Sequence, residues 1–348
     1  MSKPLVTVLM PVYNAEKFLP HALNSIVNQT YQNLDILIIN DGSTDNSKSI
    51  IIDFAKKDKR IRYFEQENQG VAKTLRRGVE LANGTLIRRH DADDISLPKA
   101  IEEQVNFLLS HNEVGAVATQ QCHLTENGKI AKNKRLPKND WFNNLPYKEL
   151  SINDFTIEHS APIVHGTTMF YKDLALEIGN YRPQFLVAED YDLWLRIMEK
   201  KKIVILNTCT YFLRIHNNSA ISRYKKFAYF YNNLAIKMAK QRQTRGKDDI
   251  ELGIEIPKPL PQEKKTIQIN NTKKGKTLRE DLNFMYSFAI DAKDWKLSIK
   301  IAWQILRDGW LLPKTYKFLI MPLLGKNLIE KGVKIKARIR KITKRNSK

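Results

Sequence analysis

Short apolar runs separated by stretches of helical periodicity mark the first ninety residues. Val6–Met10, Ile36–Asn40, Ile61–Phe64 and Leu86–His90 read as strands, and Glu16–Asn28, Asn46–Lys57 and Val71–Ala82 as the helices between them. Ile36, Leu37, Ile38 and Ile39 are apolar without alternation, as expected of a parallel strand covered on both faces. The order predicts an α/β fold with a mostly parallel central sheet and helices on both faces. In such sheets ligands bind beyond the carboxyl ends of the strands, so the polar residues just after each strand are the places to look for chemistry.

Composition adds a second region. The chain has 348 residues, long enough for one large domain and an appendage, and a formal net charge of +21. Residues 1–230 hold 30 basic and 26 acidic side chains, residues 231–348 hold 28 and 11, so the positive excess belongs to the appendage. A nucleic-acid enzyme is expected to place basic residues around its cleft, so no nucleic-acid partner is expected. The two cysteines, Cys122 and Cys209, form no disulfide framework or metal-ligand spacing, which predicts a reducing, cytoplasmic setting. No secretory leader or membrane-spanning run is read in the chain.

Three strand ends carry candidate chemistry. Pro11-Val12-Tyr13-Asn14 follows the first strand and Asp41-Gly42-Ser43-Thr44-Asp45 the second. Gly42 permits a tight turn, Ser43, Thr44 and Asp45 can cap the next helix, and Asp41 is left with a carboxylate to accept from a base or ribose. The same residue types build ordinary turns between a strand and a helix, and spacing alone leaves both uses open. The third end, His90-Asp91-Ala92-Asp93-Asp94, packs three carboxylates into four residues. Such clustering calls for a compensating cation, and hard oxygen ligands suit Mg²⁺ or Mn²⁺. A solvated, helix-capping turn is the alternative. Far downstream, Tyr191, Trp194, Leu195 and Met198 recur at helical spacing, so Glu189 and Asp190 stand at a helix start, as caps or as a general base on a rigid element. Arg76 and Arg77 on the third helix are either solvated charges or donor contacts, and the roles of His159 and His165 stay open.

Taken together over roughly residues 4–222, these pieces resemble glycosyltransferase family 2, inverting enzymes of the GT-A fold. The resemblance lies in Val6 to Asn14, in Ile39-Asn40-Asp41-Gly42-Ser43-Thr44-Asp45, and in His90-Asp91-Ala92-Asp93-Asp94 as a DxD segment. It continues through His165-Gly166 to Phe170, Glu189-Asp190 before Trp194-Leu195-Arg196, and Arg214-Ile215-His216. It implies that Pro11, Tyr13 and Asp41 line the nucleotide pocket, that Asp91 faces the ribose, and that Asp93 with His216 holds Mn²⁺ or Mg²⁺. It further implies that Arg214 supports the diphosphate, that Glu189 and His165 contact donor sugar or acceptor, and that Asp190 is the base. The implied activity is transfer from a nucleotide-diphosphate sugar, UDP-sugar first, to a glycan or lipid-linked hydroxyl with inversion, in polysaccharide or lipopolysaccharide biosynthesis. A non-catalytic nucleotide-sugar scaffold and a nucleic-acid binder acting through its tail are the competing classes. A nicotinamide enzyme is disfavoured because no G-x-G-x-x-G follows the first strand.

The expected organisation is a catalytic domain over 1–240, a polar linker over 241–277 and a helical, basic region over 278–348. Residues 331–348 hold nine basic side chains and no acidic one. A basic amphipathic helix on an anionic membrane surface accounts for them, which would place the protein peripherally on the inner face of the cell membrane.

Overall fold

A computed structural model describes residues 3–130, 142, 145–155, 162–216, 220–257 and 259. Most of them form one compact unit, built from residues 1–123 and 133–261. A second unit takes 124–132 and 262–348, and its described stretch closes a turn in which Leu124 pairs antiparallel with Ile130. His159 and the helices and basic tail expected after 278 lie outside the described residues.

Nine strands are described in the sheet: β1 (Val6–Val12), β2 (Leu34–Asp41), β3 (Ile61–Gln66), β4 (Leu86–Arg89), β5 (Ile95–Ser96), β6 (Val114–Thr125), β7 (Tyr147–Glu149), β8 (Thr168–Tyr171) and β9 (Lys202–Ile215). Their order is β3-β2-β1-β4-β8-β6-β9-β5, with β7 also on β9. β1 to β4 are parallel, with Val8 level with Ile36 and Arg88, whereas β8 runs antiparallel to β4 and β6 antiparallel to β8. The helices are α1 (Leu19–Val27), α2 (Ser47–Lys57), α3 (Val71–Leu81), α4 (Ala100–Ser110), α5 (Lys172–Glu177), α6 (Glu189–Met198) and α7 (Ala220–Arg245).

The unbroken apolar strands feed two cores. Leu9, Leu37, Ile39 and Ile87 pack with Leu75 and Val79 of α3 and with Trp194 of α6. Val8, Met10, Ile36, Ile38 and Leu86 pack with Leu23 of α1, Ile51 of α2 and Val105 of α4. Successive residues of a strand point to opposite faces, so only a fully apolar strand can supply both layers.

Two expectations change here. Cys122 on β6 and Cys209 on β9 are joined in a disulfide, with Cα atoms 6.2 Å apart. Their distance in sequence hid the adjacency of the strands, and the cysteines no longer argue for a reducing compartment. The boundary expected at residue 240 falls inside α7, and the start of the expected linker is packed. Asp248 is buried between Arg182 (2.6 Å) and Arg242, while Asp192 of α6 lies 3.5 Å from Arg182 and 2.7 Å from Arg196. This network locks α6 to the end of α7. No described helix is long and apolar enough to cross a membrane.

Candidate active site

The ends of β1 and β2 are laced together, and Asp45 also accepts the amide of Ser47, the first residue of α2 (3.0 Å). Asn14, at a φ of 50°, receives the Thr44 amide on its side-chain oxygen (2.8 Å) and gives its own amide to Ser43 (3.0 Å). Ser47 Oγ accepts from the Ala15 amide and Asp45 from the Glu16 amide, both at 2.9 Å. Gly42, at a φ of 72°, permits the turn, and a Cβ there would strike the Asn68 backbone. Pro11 is half-buried and Tyr13 is 43% exposed, so both border open space. Asp41 differs from expectation. It is buried, and its oxygens accept from the Gln66 side chain (2.7 Å) and from the amides of Gln69 (2.9 Å) and Gly70 (3.0 Å). The carboxylate expected to be free for a base or ribose holds the 66–70 loop. Arg77 braces that loop through Gln66 (2.8 Å), and Arg76 donates to the carbonyls of Gly179 and Tyr181 (3.1 Å each), so both have structural partners.

The three carboxylates after β4 have separate environments. Asp91 is paired with Arg89 (2.7 Å) and receives the Tyr211 hydroxyl (3.3 Å). Asp93, with 28% of its side chain exposed, meets His216 Nε2 at 2.8 Å. Asp94 is buried and accepts the Arg214 amide at 2.7 Å. Burial first, then the charges of Asp93 and Asp91, push the Asp94 carboxyl well above the carboxylate range. Arg214, itself buried, donates from Nε to the Asp93 carbonyl (2.8 Å) and packs 4.7 Å from the Phe18 ring centre. His216 lies against the same ring. The expected donor-side residues Asp91, Asp93, Arg214 and His216 are therefore brought together.

The acceptor-side residues gather close enough to Asp91 for its charge to reach His165 and Glu189. Ala188 takes a left-handed conformation (φ 61°) just before α6, an arrangement that strains a residue with a Cβ and aims Glu189 and Asp190 off the helix start. No side-chain cap is made there. Glu189 is buried, with His165 Nδ1 3.7 Å from its carboxylate, and His165 Nε2 shares a hydrogen bond of 2.7 Å with the Tyr181 hydroxyl. Burial, with some offset from Arg89, raises Glu189 to about 7. Burial also raises Asp190, half-buried beside it, to about 6, with Glu189 adding and His165 opposing. Burial and Arg89 lower His165 to about 4, so it is neutral. Two adjacent carboxyl groups poised near working pH are what proton transfer to or from a substrate requires.

Sequence reasoning missed Arg89, Tyr181, Tyr211 and Gly166. Gly166 begins the step from the short turn His165–Thr167 into β8, and a Cβ on it would collide with the Tyr211 hydroxyl and Asp91 Oδ2. Two consecutive arginines inside an otherwise apolar strand, directly before an acidic triplet, were the available signal of a buried charge complement.

The model of the family described as "Glycosyl transferase family 2" matches residues 7–178. The O-antigen biosynthesis glycosyltransferase WbnJ of Escherichia coli is 30% identical over 220 residues, 62% of this chain and 81% of its own length. Among solved structures, the mannosyltransferase PcManGT of Pyrobaculum calidifontis, in complex with GDP-Man and Mn²⁺, superposes with a TM-score of 0.52 at 19% identity over 67% of this chain and 65% of its own. S. aureus TarS 1–349, in complex with UDP-GlcNAc, has a TM-score of 0.52 at 14% identity over 91% and 90% of the two chains. These likenesses show the GT-A fold, and with the match to the family model and to WbnJ they identify the chain as a member of glycosyltransferase family 2.

Proposed function

We propose that this transferase moves a sugar from a nucleotide-diphosphate donor, a UDP-sugar first, to a hydroxyl of a glycan or lipid-linked acceptor with inversion, in cell-surface polysaccharide or lipopolysaccharide biosynthesis. The observation that carries the reading is the pair Glu189 and Asp190, held at the start of α6 with carboxyl groups raised to about 7 and about 6, with Glu189 near enough to Asp91, two residues before Asp93, to feel its charge. UDP-GlcNAc in TarS and the O-antigen role of WbnJ support donor and pathway.

Asp190 is ionised at neutral pH and takes the acceptor hydroxyl's proton as that oxygen attacks the anomeric carbon. Glu189 is then the protonated or shared neighbour that holds a sugar hydroxyl beside neutral His165. One displacement inverts the anomeric centre, and negative charge grows on the departing diphosphate. Arg214, next to Asp93, adds positive potential there. Asp93 and His216, an oxygen and a nitrogen ligand 2.8 Å apart, fit Mn²⁺ or Mg²⁺. Among the described residues no group of three His, Cys, Asp or Glu could hold a metal, so phosphate oxygens and water would complete the shell. When bound, the ion supplies Lewis-acid stabilisation to the leaving group.

The basic residues of 331–348 are proposed to rest on anionic lipid at the inner face of the cell membrane, bringing the site to a lipid-linked acceptor. The test is a screen of the full chain with Mn²⁺ against UDP-, dTDP- and GDP-sugars, read by donor turnover and thermal shift. Turnover of a UDP-sugar alone supports the reading, and response to GDP-sugars alone overturns the UDP assignment. Sedimentation with phosphatidylglycerol vesicles, undiminished on deleting 323–348, would overturn the membrane role of the tail.

A further inference from the structure

Arg88, in the middle of β4, is fully buried; the charge of Asp91 reaches it, but its hydrogen bonds go to carbonyls and a hydroxyl rather than to a carboxylate. Its guanidinium donates to the carbonyls of Arg89 and Gly166, to the Thr168 carbonyl (3.4 Å) and to Ser96 Oγ (3.4 Å). It also lies 5.6 Å from the centre of the Tyr211 ring. Burial pulls its pKa down only to about 10, so it remains a cation. A buried cation with no carboxylate in direct contact is destabilising, and a methionine of similar reach would fill the space without that penalty. The guanidinium therefore has to be explained by what its fork of donors holds.

It holds three segments at once. Ser96 belongs to β5, directly after the acidic turn. Gly166 and Thr168 flank the turn that presents His165, and Gln104 adds a bond to the Thr167 carbonyl between them (2.8 Å). Tyr211 is on β9, with its hydroxyl on Asp91. Gly166 touches that hydroxyl and that carboxylate so closely that no side chain fits between. Donor-side and acceptor-side residues thus meet across one backbone turn.

We propose that Arg88 is a positioning residue for the transfer reaction: it fixes the His165–Thr168 backbone against the Asp91–Tyr211 pair and so sets the separation of Asp93 and His216 from Glu189 and Asp190. The inference rests on the transferase reading above. Loosening the turn leaves nucleotide binding in place but misaligns the acceptor oxygen with the anomeric carbon. Water then attacks in its place, with Asp190 taking its proton, and free sugar and nucleoside diphosphate are released.

The experiment compares the wild-type full chain with Arg88→Met, Arg88→Lys and Gly166→Ala. UDP-glucose, UDP-galactose and UDP-GlcNAc serve as donors with Mn²⁺, and a panel of octyl glycosides as acceptors. Transfer and donor hydrolysis are read in the same reaction, and UDP affinity by calorimetry. A displacement of the reacting groups by about an ångström is expected to reduce transfer about 100-fold. UDP affinity should stay within about threefold and the hydrolysed share of donor should rise at least about tenfold, as for a positioning defect rather than lost binding. Gly166→Ala, which wedges the same contact from the other side, should produce the same shift, and combining it with Arg88→Met should be less than additive. If Arg88→Met does not fold, Arg88→Lys, which keeps the charge and loses the fork, carries the test with Gly166→Ala. Transfer and hydrolysis that fall in parallel, or do not change, overturn the inference. A wild-type chain that binds UDP but transfers to no acceptor overturns the transferase reading, and this inference with it.

Discussion

Replacing Asp190 by asparagine keeps the shape of the side chain and removes the base, and it should act in opposite directions on rate and on stability. Loss of a general base reduces transfer by about 10²- to 10⁴-fold. The stability effect follows from the raised carboxyl, about 6 in the folded chain against 3.8 ordinarily. Because the folded state prefers the neutral form, the favourable contribution is complete below pH 3.8 and is lost as pH rises through 6. A shift of this size corresponds to about 3 kcal/mol by linkage. Asp190 is only half-buried, and solvent screening reduces the expected gain of the variant to about 1–2 kcal/mol at pH 8. For a domain of this size that is a rise in Tm of roughly 3–6 °C. Scanning fluorimetry at pH 8 and pH 4 should show the gain at the first and its disappearance at the second, while wild-type kcat should climb through an apparent pKa near 6. Transfer retained within about tenfold, or a lower Tm at pH 8, would refute Asp190 as a desolvated base.

Asp93→Ala should abolish Mn²⁺-dependent donor turnover, and in the wild type UDP should tighten Mn²⁺ binding at least about tenfold in calorimetry, because two protein ligands cannot complete the ion's shell. Asp248→Asn leaves Arg182 and Arg242 without their shared buried carboxylate and should lower stability by about 3–5 kcal/mol in denaturant titration. Burial alone would raise Asp248, but Arg182 and the Glu251 amide hold it below the ordinary range, so its stabilising contribution should be present above pH 3.8 and fade as pH falls through that lowered value. Ala188→Gly relieves the left-handed strain before α6 and should raise stability by about 0.5–1 kcal/mol. If the strain aims Glu189 and Asp190, the same variant should lower kcat.

The parallel half of the fold was legible because its signal is local. Ile36 to Ile39 must be apolar to feed two cores, and no other arrangement uses four such residues in succession as economically. The antiparallel half was not, because β8, β6 and β9 are ordered by contacts between residues far apart in sequence, such as Ala116 opposite Phe170. The same distance hid the Cys122–Cys209 bond. The loop-holding bonds of Asp41 were hidden for a different reason: two of its partners are backbone amides, which no side-chain pattern advertises. Asp248 was placed in a linker because Gly246-Lys247-Asp248-Asp249 is polar, and composition cannot tell a charge in solvent from one buried between arginines.

The acidic turn shows how such partners alter a chemical inference. From the sequence, the clustering of Asp91, Asp93 and Asp94 suggested a compensating cation, with a solvated helix-capping turn as the alternative. In the folded chain Arg89 pairs with Asp91, and Asp94 is buried with the Arg214 amide on its carboxyl, its pKa pushed well above the carboxylate range by burial first and then by its acidic neighbours. Of the three, Asp93 is part-exposed and joined to His216, so it is the carboxylate that the proposed function gives to a divalent ion. The charge argument for metal thus narrows from three side chains to one, and it becomes more specific in doing so. Under the proposed function, the pairing of Arg89 with Asp91 and the burial of Asp94 would leave the ion to Asp93, His216 and the phosphates of the donor. Affinity for the cation would then be conditional on the substrate whose leaving group the cation stabilises, coupling metal binding to the arrival of the nucleotide.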